Sequence, residues 1–104
     1  MLPPQTGYEE TALAESEEKV EEPPLFKVLL HNDDFTTMEF VVWVLESIFN
    51  MPEEQAIQVM LNVHLRGIGI AGIYTYEVAE TKVEKTTALA QEHEYPLLVT
   101  MEKA

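Results

Sequence analysis

Between Leu25 and Met101 the apolar residues of this chain change spacing repeatedly, from alternate positions to every third or fourth and back. That order of periods limits what can be built from the chain more than any bulk property does. Phe26, Val28 and Leu30 alternate with Leu25, Lys27 and Leu29, the period of a strand with at least one buried face. Thr36 and Glu39 then stand at capping-box spacing, with Phe35 and Phe40 at the positions of a hydrophobic staple, so a first helix is predicted to begin at Thr36 or Thr37. Its apolar positions Phe40, Val41, Val44, Leu45 and Ile48 recur at helical period. Pro52 followed by Glu53 and Glu54 marks the first turn of a second helix, which carries Ile57, Met60, Leu61 and His64 and stops at Gly67.

The stretch IGIAGIYTYE, residues 68–77, reads as a strand in which Gly69 and Gly72 leave room for close packing. A third helix is predicted from Tyr76 to about Glu92, with Val78, Ala79, Val83, Leu89 and Ala90 as its apolar positions. Pro96 ends that segment, and PLLVTM closes the chain as a third strand. The predicted class is α+β: a two-layer β-α-α-β-α-β domain with three helices packed on a small three-stranded sheet. Periodicity does not give the strand order.

Composition then divides the chain. Residues 1–24 hold seven glutamates and one lysine with Tyr8 as their only aromatic, and end in Glu21-Glu22-Pro23-Pro24. Such a segment cannot bury enough apolar surface to order itself, so 1–24 is read as a disordered acidic N-terminal extension and 25–104 as the folded core domain. The formal net charge of −13, with only 6 lysines and arginines, argues against nucleic-acid binding and favours cationic partners. No cysteine is present, which removes disulfides and thiolate zinc sites and makes the cytoplasm the expected compartment. No signal peptide is expected, and no apolar run reaches the ~18 residues of a membrane span.

The unusual chemistry sits in HNDDFTTMEF, residues 31–40, where an amide and two carboxylates crowd a strand exit just before a helix start. One reading is local: Asp33 or Asp34 satisfies free N–H groups of the helix or forms an Asx turn. The other is a binding site. Met60, Val63 and His64 occur at i, i+3 and i+4, so a nitrogen base projects beside an apolar floor, and Met38 in the first helical turn offers a flexible thioether suited to an adaptable pocket. Core packing is the plain alternative for each of these. Asp33, Asp34, His64 and His31 have no established metal spacing, and no nucleophile is placed by motif, so neither a metal, a cofactor nor an enzymatic activity is expected.

The segments FKVLLHNDDFTTMEFV, VMLNVHLRG, GIYTYEVAETKV and EYPLLVTMEKA together resemble the ClpS adaptor proteins, which deliver N-degron substrates to the AAA+ unfoldase ClpA of the ClpAP protease. The likeness runs from about Leu25 to Ala104. It implies binding of the free α-amine and the bulky hydrophobic side chain (Leu, Phe, Tyr or Trp) of a substrate's first residue. The positions matching the family's amine-binding residues are Asn32, Asp33 and His64. Those matching its hydrophobic pocket are Leu30, Thr36, Met38, Val41, Met60, Val63 and Leu97. Glu77, Glu80 and Lys82 match the surface that meets the unfoldase's N-terminal domain, and an N-terminal extension is implied that the unfoldase can pull. A cytoplasmic monomer that binds N-degron peptides and proteins and ClpA, but neither nucleic acid nor membrane, is the expectation. Two positions beside the motif depart from the family's pattern and bear on which first residues are preferred: Thr37 stands where members commonly have proline, and His31 where an apolar residue is usual. The element order also resembles the C-terminal domain of the bacterial ribosomal stalk protein, which has no need of the NDD and VH pair. A small hydrolase using Asp33 and His64 is the enzymatic alternative.

Overall fold

Strand β1 (Leu25–His31) is the middle of a three-stranded antiparallel sheet of order β2-β1-β3, with β2 spanning Ile68–Thr75 and β3 Leu98–Lys103. The computed structural model describes residues 22–104, so the expected acidic extension lies outside it except for Glu22, Pro23 and Pro24, which are exposed. Helices α1 (Met38–Ser47), α2 (Glu53–Arg66) and α3 (Tyr76–Glu92) complete the predicted β-α-α-β-α-β order.

As the middle strand, β1 packs one face of its alternating residues into the core. Val28 and Leu30 point to the helical layer and are fully buried, in one core cluster with Val44 and Leu45 of α1 and Val99 of β3. The opposite face of the sheet is open, with Ile70, Ile73 and Leu98 between 45% and 55% exposed. Their partners across the ladder, Leu29, Lys27 and His31, lie on the same face. A register shift between Val28 and Leu29 puts a bulge opposite them in β2.

Two details of the helical layer position the site. Helix α2 rests on β2 where Gly69 has no side chain: a Cβ there would come within 2.6 Å of Val63 and 3.2 Å of the Val59 carbonyl oxygen. The helix then ends at Gly67, in the left-handed region at φ 89°, with its N–H donating to the Val63 carbonyl at 3.0 Å. The first helix starts one residue later than capping-box spacing indicates. Thr37, not Thr36, is the N-cap, its Oγ1 accepting the Phe40 N–H at 3.2 Å. Phe35 is accordingly not a staple and stands 76% exposed.

Candidate functional site

The loop from Asn32 to Thr37 is pinned to the end of α2 at its first residue and shaped by its second. The Asn32 N–H donates to the Gly67 carbonyl at 2.9 Å, which brings the strand exit against the last turn of α2, where His64 is exposed. Asp33 turns back onto its own loop. Its Oδ1 accepts the backbone N–H groups of Phe35 at 2.8 Å and Thr36 at 2.7 Å, and its Oδ2 accepts the Thr36 hydroxyl at 2.7 Å. Partial burial pushes the Asp33 carboxyl pKa up, but these three hydrogen bonds outweigh it and hold the group below the ordinary carboxylate value. Asp33 is therefore ionised at neutral pH. The Asx-turn reading of Asp33 is correct, and it accounts for only part of the residue: Oδ2, with one donor, has capacity for another.

Between this loop, α1 and α2 lies a cavity of about 420 Å³. Its lining combines the polar Asn32, Asp33 and His64 with the apolar Met38, Val41, Met60 and Val63, and includes Thr36 from the loop. Met38 is 41% exposed, whereas Val41 and Val63 are nearly buried at 5% and 3%, so the cavity has a firm floor and a pliable lip. A volume of this order fits the usual range for small-ligand clefts, about 300 to 1,000 Å³.

Of the residues expected in one hydrophobic pocket, the structure brings Thr36, Met38, Val41, Met60 and Val63 to the cavity wall. Leu30 and Leu97 lie behind it, buried in the core cluster. The structure adds Asp34, Phe35, Thr37 and Glu39 to the lining. Phe35 had a sequence signal, an aromatic in a polar loop, which the staple assignment absorbed. His31 is not at the cavity: its Nε2 is 2.7 Å from Thr100 Oγ1 on the sheet, so of the two departures from the family's pattern only Thr37 touches the site.

The expected unfoldase surface on α3 divides. Glu77 and Glu80 are exposed, Glu80 accepting the Tyr76 hydroxyl at 3.2 Å. Lys82 does not share their exposure. It is half-buried, donates from Nζ to the Ile48 carbonyl at 2.6 Å and lies 5.9 and 5.7 Å from the ring centres of Phe49 and Tyr74. The α1 C-terminus leaves carbonyls without helical partners, and Lys82 satisfies one of them from 34 residues away. No helix among the described residues is long and apolar enough to cross a membrane, and no group of three or more His, Asp or Glu among them is disposed to hold a metal ion.

The family model described as "ATP-dependent Clp protease adaptor protein ClpS" matches residues 21–100. The ATP-dependent Clp protease adapter protein ClpS of Methylococcus capsulatus is 57% identical over 93 residues, covering 89% of this chain and 88% of that one. Its counterpart in Myxococcus xanthus is 55% identical over 85 residues, covering 82% and 79%. Among solved structures, ClpS2 of Agrobacterium tumefaciens bound to L-phenylalaninamide is similar, with a TM-score of 0.77 and 38% identity over 80% of this chain and 100% of that one.

Proposed function

The chain belongs to the ClpS family of Clp protease adaptors, and we propose that it captures proteins by a free N-terminal Leu, Phe, Tyr or Trp and delivers them to the AAA+ unfoldase ClpA for degradation by ClpP. The observation that carries this reading is a single cavity lined both by an ionised carboxylate, an amide and an imidazole and by methionine and valine side chains.

The chemistry of a chain's first residue matches that division. An α-ammonium group titrates at about pH 8, so it is mostly charged at neutral pH, and its three N–H groups need three acceptors once water is removed. Asn32 supplies an amide oxygen, Asp33 its underused Oδ2 and His64 an imidazole nitrogen. An internal amide or an acetylated terminus has neither the charge nor the three donors, and would leave Asp33 uncompensated in the complex. The side chain of the same residue enters the apolar end, where burying a Leu or Phe is worth roughly 1.5 to 3 kcal/mol. Met38 and Met60 mould to unbranched and aromatic side chains, whereas a β-branched Val or Ile presses its extra methyl group against the mouth. No step of this is catalytic, in keeping with relatives named as adapter proteins. Transfer to the unfoldase is assigned to the exposed Glu77 and Glu80 on α3, with the adaptor acting as a cytoplasmic monomer.

Titrating one peptide scaffold with each amino acid in turn at its free N-terminus tests the reading. Tight binding confined to Leu, Phe, Tyr and Trp is expected. Equal binding of Phe- and Glu-starting peptides would remove the pocket from the account.

A further inference from the structure

A second groove runs along the outer faces of α1 and α2 and shares Met38, Glu39 and Met60 with the cavity described above, so the two methionines form the ridge between them. Beyond the ridge its floor is Val42, Trp43 and Ile57, with Trp43 and Ile57 still 45% and 38% exposed. Trp43 is held by its neighbours, tilted against the Phe40 ring at 5.8 Å between centres and edge-on to His93 at 5.5 Å, and presents a fixed apolar wall. Glu46 and Glu53 join Glu39 at the rim, and no lysine or arginine among the described residues lines the groove. At about 420 Å³ it offers as much space as the first cavity.

We infer that this groove is a second subsite for the same substrate, taking a bulky apolar side chain at the third residue of the captured chain when lysine or arginine flanks it. The inference rests on the reading of the first cavity as the seat of the terminal residue. Continuity supplies the occupant, because a chain leaving the first cavity across Met38 and Met60 enters the groove directly. Alternation supplies the position: in an extended peptide successive side chains point to opposite sides, so the first and third residues face the same surface while the second points away. Charge supplies the flanking chemistry. Three glutamates around an apolar floor attract cationic neighbours and repel acidic ones. The adaptor on this account reads more than the terminal residue, and substrates sharing the same N-terminus are ranked by their second to fourth residues.

Fluorescence anisotropy with free-amine peptides beginning Phe-Gly-Gly-Gly and Phe-Lys-Leu-Arg on one scaffold tests this with the full chain. The second peptide is expected to bind about tenfold tighter. Ile57→Glu, an exposed-site change, should erase that gain while leaving Phe-Gly-Gly-Gly affinity unchanged. Glu46→Lys should favour a Phe-Glu-Leu-Glu peptide that the parent disfavours. Equal affinity of the first two peptides for the parent, or an undiminished gain in Ile57→Glu, overturns the inference. So does an Ile57→Glu variant whose only defect is in self-association or in binding the unfoldase's N-terminal domain, since the groove then belongs to a second copy or to that partner. If neither peptide binds the parent, the reading of the first cavity fails, and the subsite fails with it.

Discussion

Asp33 divides its two oxygens between unequal tasks. Oδ1 takes two backbone N–H groups and shapes the loop, while Oδ2 takes one hydroxyl and keeps a lone pair free. Alanine at this position would lose the loop's anchor together with the charge, whereas Asp33→Asn keeps an amide oxygen to accept the Phe35 and Thr36 N–H groups while removing the negative charge and putting an NH2 donor where Oδ2 accepts. A hydrogen bond to a charged group is worth about 1.5 to 3 kcal/mol, so Asp33→Asn should weaken binding of a free Phe peptide by roughly ten- to a hundredfold with little change in Tm. Isothermal titration alongside a thermal melt checks both parts. The pH dependence has a definite sign. Because the folded pKa is depressed, the loop's stabilisation by Asp33 is fully present above the unfolded value of about 3.9 and is lost only as pH falls through the lower folded value. Loop order, followed by the Phe35 and Thr36 amide resonances, should hold down to about pH 4 and fail in stronger acid.

The order and extent of the elements are legible in the residues because period and capping chemistry are local. Gly67 ends α2 and Tyr76 opens α3 where the residues indicate. The cap of α1 is displaced by one residue because Thr36 and Thr37 are chemically equivalent as caps, and only the competing bond from Thr36 to Asp33 decides between them. Strand order is not legible, since all three strands alternate alike and nothing local says that β1 sits in the middle. The cavity residues on α1 and α2 stand out through helical spacing, whereas the burial of Leu30 and Leu97 behind them depends on layer depth, which spacing does not carry. The half-burial of Lys82 is not legible for the same reason: its partner, the Ile48 carbonyl, is distant in sequence. Lys82→Met should therefore lower stability by about 1 to 2 kcal/mol, roughly 4–15 °C in Tm for a domain of this size, through the lost bond to the α1 terminus. Glu77→Ala with Glu80→Ala should leave Tm and peptide affinity unchanged but slow degradation of an N-degron reporter. A double variant that degrades the reporter at the parental rate would place the unfoldase contact elsewhere.

At the scale of the whole molecule, an apolar layer under one face of the sheet holds two helix ends and one loop around a small acidic cavity, in a chain of net charge −13. That excess draws cationic termini and is screened by salt, so it aids encounter more than residence. Residues 1–20 lie outside the described part, and among the described residues none of the cavity lining precedes Asn32. Their deletion should preserve peptide affinity while slowing steady-state proteolysis of an N-degron substrate at saturating adaptor; full activity of the shortened chain would deny the extension a part in delivery. The claim on which the rest depends is that the cavity recognises a charged, free N-terminus. It is tested most directly by calorimetric titration of the full chain with one Phe-starting peptide, free and N-acetylated, at neutral pH. Binding of the free peptide is expected, with the acetylated one at least a hundredfold weaker, as loss of the charge-assisted bonds requires. Equal affinity for the two would contradict it.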